Sequence, residues 1–368
     1  MHINKPEIDL PPDVDPYDER VYAQGASNLR RFMAEGVFVR EAEPHFYVYQ
    51  QGMGAHVQAG VVCAASVAEY DAGLIKRHEL TRKDKEDDRT RHVDELNAND
   101  EPVFLTYRKV EAIDHLVNQV RATPPLYDFV AEDGVRHTLW LVPSSLNAPL
   151  QKAFERVPAL YVADGHHRTA AAARVGRERK AKNPHHRGDE PYNYFMAVLF
   201  PHDQLQILDY NRVVRDLNGL SSAAFFAALE EKFTCHEASS GRPEKPHQFG
   251  MFFQGRWYRL EARRGTFPEA DPIGSLDVSI LQANLLAPIL GIQDPRTDKR
   301  IDFIGGIRGL AALEQRVAEG WAVAFALYPT SLEQVMAVAD AGLIMPPKST
   351  WFEPKLRSGL VVRTLDRW

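Results

Sequence analysis

The sequence lacks most features that mark secreted, membrane and nucleic-acid-binding proteins. Only two cysteines, Cys63 and Cys235, occur in 368 residues, so neither a disulfide framework nor a cysteine-rich zinc site can form. No apolar run approaches the roughly 20 residues of a membrane-spanning helix, and the N-terminus has no apolar signal core. The cytoplasm is therefore the expected location, without membrane association.

An excess of positive charge is also missing. The formal net charge is -6, which does not provide the broad basic surface that nucleic-acid binding requires. Hydrophobic residues make up 44% and charged residues 26% of the chain, and both values are typical of globular proteins. A small-molecule ligand is therefore expected as the partner, and nucleic acid is not.

Local patterns predict helices and strands that are mixed without strict alternation. The predicted elements are a helix at 19–35, strands at 46–49 and 57–67, a hairpin at 129–142, a strand at 160–163, a helix from Thr169, a strand at 194–200, a hairpin at 249–260, a helix at 278–290, a strand at 322–327 and a helix at 331–341. This arrangement favours an α+β or mixed α/β fold. Residues 236–248 have a linker composition, which predicts an N-terminal part over 1–235 and a C-terminal α/β part over 249–368.

The most informative segment is the turn Asp164-Gly165-His166-His167-Arg168, which lies between an apolar strand and an alanine-rich helix. Backbone N–H groups at a helix N-terminus attract anions, and glycine permits a tight turn and close ligand approach. Arg168 can bind phosphate through two parallel hydrogen bonds. The alternative is a solvated turn in which Asp164 only caps the helix. Metal binding is less favoured because the adjacent histidines point in different directions.

Two further segments carry groups suited to chemistry. His78-Glu79-Leu80-Thr81 lies in a charge-dense stretch, which alone would indicate a solvated helix face. Lys348-Ser349-Thr350 lies in a proline-stiffened segment and suits phosphate contacts, although the glycine frame of a P-loop is absent.

Together these segments resemble the domain-of-unknown-function 1015 family. The family's Asp-Gly-His-His-Arg-Tyr pattern matches residues 164–169, with Thr169 in place of the tyrosine, and its His-Glu-x-Thr pattern begins at His78. The other matching residues are Lys85, Asp88, Arg89, Asn99, 190–194, 345–355, Gly359 and Leu360. The resemblance implies a further N-terminal segment with a Pro-Pro-Tyr-Asp sequence. Since this chain begins after that point, part of the ligand pocket is expected to be missing.

The resemblance implies a ParB/sulfiredoxin-like core, because family members are described as ParB-like and free serine kinases of that superfamily use a similar turn. On this analogy, the turn residues hold nucleotide phosphates together with Lys348, Ser349 and Thr350. The catalytic residues that the resemblance implies are Glu79, His166 and His167. The substrate contacts are expected from His78, Thr81 and Arg89.

Three functions follow as hypotheses. The first is a kinase-type phosphotransferase that uses ATP or ADP with Mg²⁺ and acts on a small hydroxyl metabolite. The second is a ParB-like nucleotide- or DNA-binding regulatory protein without metabolic turnover. The third is a metal-dependent hydrolase that uses the histidines and Asp164.

Overall fold

The computed structural model describes residues 1–366, and these divide into two compact units. The first unit comprises Met1–Leu205 and the C-terminal segment from Pro354 onward, and the second comprises Gln206–Glu353. This division differs from the predicted one. The chain crosses into the second unit before residue 235, because the strand Phe233–Ala238 pairs within that unit's sheet. Across 1–366, no helix is both long and apolar enough to cross a bilayer.

The first unit is a mixed sheet with helices. Its strands are β1 (Tyr47–Met53), β2 (His56–Ser66), β3 (Ile75–Lys76), β4 (Ala98–Asn99), β5 (Val103–Tyr107), β6 (Tyr127–Val130), β7 (Arg136–Leu141), β8 (Leu160–Asp164) and β9 (Tyr194–Pro201). Its α-helices are α1 (Glu19–Ala34), α2 (Val67–Asp71), α3 (Lys83–Leu96), α4 (Glu111–Arg121), α5 (Ser144–Phe154) and α6 (His166–Lys182). The strand order in the main sheet is β3-β8-β5-β9-β2-β1-β7-β6. The β5–β9 and β3–β8 pairs are parallel and the others antiparallel.

Apolar strand faces and small helix residues form the core of the first unit. The buried residues Val103, Leu105 and Val162 of the sheet pack in one cluster with Ala172 and Ala173 of α6. Alanine has the highest helix propensity, and its small side chain lets the helix lie close to the sheet. This packing fixes the position of the turn between β8 and α6.

The second unit is an antiparallel sheet with helices. Its strands are β10 (Ile207–Leu208), β11 (Tyr210–Val214), β12 (Phe233–Ala238), β13 (Gln248–Phe253), β14 (Arg256–Ala262), β15 (Ile301–Gly305), β16 (Val323–Leu327) and β17 (Trp351–Phe352). Its α-helices are α7 (Ser222–Glu230), α8 (Asp277–Leu281), α9 (Gly309–Ala318) and α10 (Leu332–Asp340). The main sheet has the order β12-β14-β13-β16-β11-β15, and β10 pairs with β17. Val213, Trp257, Trp321 and Ala324 are among its buried core residues.

The prediction of a mixed α/β fold is confirmed. The helix predicted at 278–290 is shorter, because α8 passes into a π-helical segment at Gln282–Leu286, ahead of Pro288. The helix predicted from Thr169 begins three residues earlier, at His166. Both histidines and Arg168 therefore lie in its first turn. The last strand, β18 (Arg363–Thr364), belongs to the C-terminal segment and pairs with β4.

Candidate functional site

Glycine makes the turn between β8 and α6. Gly165 has a φ of +93° and is the N-cap residue of α6, and no side chain within residues 1–366 caps this helix. Asp164 instead accepts a hydrogen bond of 2.7 Å from the Gly165 N–H through Oδ1. Asp164 is therefore not the N-cap residue, and the alternative in which it only caps the helix does not hold. The free N–H groups of the first turn of α6, and the positive end of its dipole, have no side-chain acceptor among the described residues.

The Arg168 guanidinium lies directly over Gly165. A Cβ atom at Gly165 would stand 2.9 Å from Nη2 of Arg168 and 3.0 Å from its Nε, so only glycine leaves room for this side chain. The Nε atom is buried without a hydrogen-bond partner among the described residues. The Glu101 carboxylate faces the guanidinium, with Oε1 at 3.9 Å from Nη1. Arg168 is thus placed at the helix N-terminus and retains hydrogen-bonding capacity for an anion.

Replacing Gly165 with Ala is expected to destabilise the protein by about 1–2 kcal/mol through the left-handed backbone alone. It is also expected to displace Arg168, because the new Cβ occupies the space of the guanidinium. Gly188→Ala is the matched control, because Gly188 has a φ of +96° and a Cβ added there would meet no atom within 4 Å. Chemical denaturation and phosphate calorimetry measure both effects. Equal phosphate affinity in the two variants would contradict the role of Gly165 in placing Arg168.

His78 and Glu79 lie beside the turn, although they are far from it in sequence. The rings of His78 and His166 meet edge to face with centroids 4.5 Å apart, and Nδ1 of His166 lies 3.6 Å from Oε2 of Glu79. Both imidazoles are buried, whereas the Glu79 side chain is 52% exposed. Glu79 can therefore meet a ligand from solvent while it faces the histidine pair.

Burial keeps both imidazoles neutral. It lowers the pKa of His78 from 6.5 to about 4. Burial, reinforced by the neighbouring His78 and His167, also holds the pKa of His166 well below its ordinary value. Nε2 of His166 is buried and has no hydrogen-bond partner among residues 1–366. A buried polar atom of this kind requires an explanation, and a bound ligand group is one.

His167 and Thr81 are engaged within the protein. The Arg82 N–H donates a 3.0 Å hydrogen bond to Nε2 of His167, so this imidazole is neutral with its proton on Nδ1. Burial, followed by the charge of Arg82, lowers the pKa of His167. The Thr81 hydroxyl donates to Glu86 at 2.8 Å. His167 thus links the turn to the start of α3, and the substrate role of Thr81 stays a prediction.

Arg89 joins the site through Glu101, a residue that the sequence patterns did not single out. Glu101 Oε2 lies 3.5 Å from Nη1 of Arg89, and the same carboxylate faces Arg168. These three side chains, with the buried pair His92 and Asp100, line part of a cavity of about 20 Å³, enough for roughly one water molecule. Glu101 lies two residues after Asn99, which matches the family pattern. This proximity was the feature of the sequence that could have indicated Glu101 as a site residue.

Lys355 is a second residue that the sequence patterns did not assign to the site. Its ammonium donates a 3.0 Å hydrogen bond to Oδ2 of Asp164. Burial alone would raise the pKa of Asp164, but the charges of Lys355 and Arg168 hold that pKa below its ordinary value. Asp164 is therefore ionised and paired. Lys355 lies in the stretch 345–355 that matches the family pattern, and this could have indicated it as a site residue.

Lys348, Ser349 and Thr350 lie in the second unit. The Lys348 ammonium stands over the ring of Tyr210 at 5.6 Å, and its backbone has a φ of +58°. Ser349 is buried and its hydroxyl donates to the Pro346 carbonyl at 2.6 Å. The Ser349 hydroxyl is thus used in an internal hydrogen bond, and phosphate contacts from this segment stay a prediction.

No group of three or more His, Cys, Asp or Glu residues within 1–366 is placed to hold a metal ion. Asp164 pairs with Lys355, and the two histidines of the turn point in different directions, towards Glu79 and Arg82. The residues proposed for a metal-dependent hydrolase therefore do not form a ligand set among the described residues.

The fold and the turn define a two-unit mixed α/β protein whose first unit carries a glycine-initiated helix with arginine in its first turn. The chain belongs to the family described as protein of unknown function (DUF1015), whose model matches residues 1–279. The resemblance drawn from the sequence motifs is thereby confirmed. Among curated proteins, no sequence matches this chain.

Several solved structures are similar to this chain at low identity. SbnI with a C-terminal truncation, from Staphylococcus aureus, is 12% identical with a TM-score of 0.42, over 80% of this chain and 84% of that one. Free serine kinase in complex with AMP is 11% identical with a TM-score of 0.39, over 80% and 86%. A conserved hypothetical protein from Pyrococcus furiosus is 12% identical with a TM-score of 0.39, over 83% and 95%. A ParB/sulfiredoxin-like arrangement of the core stays a prediction.

Proposed function

We propose that the protein binds a nucleotide phosphate at the 164–168 turn and transfers a phosphoryl group to a small hydroxyl metabolite. The observation that carries this proposal is the position of the Arg168 guanidinium over Gly165, at a helix N-terminus without a side-chain cap among the described residues. A helix N-terminus and a guanidinium together favour a phosphate group. ATP or ADP is the proposed nucleotide, and Mg²⁺ would accompany it.

Glu79 is the proposed group that activates the acceptor. The hydroxyl oxygen of the metabolite attacks the terminal phosphorus of ATP, the bond from that phosphorus to the bridging oxygen breaks, and ADP leaves. The hydroxyl proton passes to the Glu79 carboxylate. Positioning and charge stabilisation account for most of the catalysis in such transfers, so a half-exposed carboxylate beside the anion site suits this step.

The histidines support this chemistry as neutral groups. Because burial lowers their pKa values, His78 and His166 do not add positive charge at neutral pH. Nε2 of His166, which is buried and has no hydrogen-bond partner among residues 1–366, is proposed to bond to a ligand group as donor or acceptor. His167 is proposed to act with them, and Arg89 to contact the substrate.

A ParB-like regulatory protein without turnover would use the same anion site. The two functions differ in one measurable property, since only the phosphotransferase forms ADP from ATP when an acceptor hydroxyl is present. Glu79 is the structural feature that favours turnover, because a half-exposed carboxylate beside the turn can accept the proton of an acceptor hydroxyl. We therefore place the phosphotransferase first.

The test combines binding and turnover on the full chain. Thermal shift with ATP, ADP, CTP and GTP, each with and without Mg²⁺, selects the nucleotide. A coupled assay then follows ADP formation with a panel of small hydroxyl compounds. Binding together with acceptor-dependent ADP formation supports the phosphotransferase. Binding without turnover for any acceptor contradicts it and supports the regulatory function instead.

Replacing Arg168 with Ala is expected to weaken nucleotide binding about ten- to hundredfold, because a charge-assisted contact contributes roughly 1.5–3 kcal/mol. Arg168→Lys is expected to recover only part of this loss, since an ammonium cannot make two parallel hydrogen bonds. Isothermal calorimetry measures both. Arg177→Ala is the control, because Arg177 lies on the same helix and pairs with Asp71. Unchanged affinity in both Arg168 variants would mean that the turn does not bind an anion.

The segment with Lys348, Ser349 and Thr350 is proposed to assist in phosphate binding, with Lys348 as the charged group. Replacing Lys348 with Ala is then expected to weaken nucleotide binding measurably by calorimetry. Lys299→Ala serves as the control, because Lys299 is an exposed lysine of the second unit outside this segment. If Lys348→Ala leaves the affinity unchanged, this part of the proposal is wrong, and the first unit alone supplies the phosphate contacts.

A further inference from the structure

The C-terminal segment, residues 354–366, is attached to the first unit close to the 164–168 turn. Two of its side chains reach the site, since Lys355 bonds to Asp164 at 3.0 Å and the Ser358 hydroxyl donates to Glu101 at 3.2 Å. Farther along, both terminal nitrogens of Arg363 donate to backbone carbonyls, those of Tyr194 and Pro191. The segment is thus anchored at its far end and contacts the charged groups of the site at its near end.

A buried pair of glutamines holds the backbone of this segment at Lys355. Gln51 and Gln58 are cross-strand partners in β1 and β2, and both are fully buried. The Gln58 amide donates to Oε1 of Gln51 at 3.1 Å, and the Gln51 amide donates to the Lys355 carbonyl at 2.8 Å. Buried amides are costly unless they are hydrogen-bonded, so this chain of bonds specifies where the Lys355 backbone lies.

A second buried group fixes the same segment two residues later. The Tyr49 hydroxyl accepts a hydrogen bond of 3.4 Å from the Arg357 N–H and lies 2.6 Å from Nδ1 of His137. Tyr49 and Gln51 are on the same face of β1, because side chains alternate along a strand. Lys355 is therefore held by two neighbouring anchors that the strand itself provides.

The position of Lys355 resolves a charge conflict in the turn. Asp164 is ionised and directly precedes the helix N-terminus at which a phosphate would bind, and like charges repel. The Lys355 ammonium donates a hydrogen bond to Oδ2 of this carboxylate, and the Gly165 N–H donates one to Oδ1. With Lys355 in place the charge of the Asp164 carboxylate is balanced, so it opposes an anion near Arg168 and the helix N-terminus less strongly.

We propose that Lys355 is a positioning residue that makes the turn receptive to phosphate by neutralising Asp164, and that Gln51 and Tyr49 hold it there. This inference rests on the proposed function of the turn as a phosphate site. It differs from a purely structural attachment of the segment, because a structural attachment would affect stability without regard to the charge of Asp164.

The charge test uses Lys355→Met, measured by calorimetry with inorganic phosphate and with ATP at low ionic strength. Affinity for both is expected to fall about tenfold, because the Asp164 charge is no longer balanced. The double variant Asp164→Asn/Lys355→Met is expected to return to within about threefold of the parent. Lys245→Met is the control, because Lys245 forms an exposed ion pair with Glu261 in the second unit.

The anchor test uses Gln51→Leu and, as a variant that preserves volume, Tyr49→Phe. Each is expected to weaken phosphate binding about threefold in the parent and to have no effect in Lys355→Met, because both act through Lys355. Thermal unfolding confirms that each variant is folded. If Gln51→Leu does not fold, the anchor test rests on Tyr49→Phe alone.

The outcomes separate this inference from the proposed function. If Arg168→Ala weakens binding but Lys355→Met does not, or if the double variant stays weak, the role of Lys355 is wrong and the phosphate site stands. The role of Lys355 is also contradicted if Gln51→Leu and Tyr49→Phe weaken phosphate binding equally in the parent protein and in Lys355→Met. If the parent protein binds neither phosphate nor ATP, the proposed function and this inference fail together.

Discussion

Replacing Glu79 with Gln is expected to lower kcat for phosphoryl transfer by about 100-fold or more, while the affinity for nucleotide changes by less than about threefold. General-base catalysis contributes typically 10²–10⁴-fold, and an amide cannot accept the hydroxyl proton. The glutamine keeps the size of the side chain and its distance from His166, where Oε2 of Glu79 now lies 3.6 Å from Nδ1. The effect should therefore fall on the chemical step and leave binding nearly intact.

The measurement is ADP formation under saturating nucleotide, with calorimetry for the affinity. Glu111→Gln is the matched control, because Glu111 is an exposed glutamate in the first turn of α4. Glu79→Asp separates reach from charge, since it keeps the carboxylate but shortens the side chain, and intermediate activity is expected. Full activity in Glu79→Gln would show that the proton goes elsewhere, and Glu79 would lose its catalytic role.

The stability of the protein is expected to fall by about 2 kcal/mol between pH 7 and pH 5 through His78 alone. Its pKa is 6.5 in the unfolded chain and about 4 in the folded one. Between these values the unfolded state binds more protons, so the free energy of unfolding decreases as the pH falls. The stabilisation is complete above pH 6.5 and is lost progressively towards pH 4. His166 is expected to change stability in the same direction, because its pKa is also lowered.

Urea unfolding followed by circular dichroism at pH 7, 6 and 5 measures this dependence. His78→Asn should flatten it, whatever its effect on stability at pH 7. His92→Asn is the opposite control. Although burial alone would lower the pKa of His92, its hydrogen bond to Asp100 raises that pKa, so this group stabilises the fold at lower pH and its loss should steepen the decline. A slope in His78→Asn equal to that of the parent would contradict a buried neutral His78.

The local sequence was sufficient to predict the turn and the elements around it. An apolar strand, a glycine and an alanine run make β8, a left-handed N-cap and α6 by short-range preferences that need no distant contact. The hairpin at Asp133-Gly134 formed for the same reason, with Gly134 at a φ of +80°. The helix start was predicted three residues late, because the His-His-Arg sequence has no capping signature and Gly165 alone begins the helix.

Only the tertiary structure decided which distant residues surround the turn. Glu101 follows β4, Lys355 lies near the end of the chain and Gln51 lies on β1, and no local pattern relates them to Gly165. They meet because β8 pairs with β5, the C-terminal segment returns to the first unit, and β4 pairs with β18. The domain boundaries were also decided at this level, because strand pairing, and not linker composition, determines to which unit β12 belongs. The sequence by itself thus determined the anion-attracting turn, through local backbone preferences, whereas the charges that face it depend on long-range pairing.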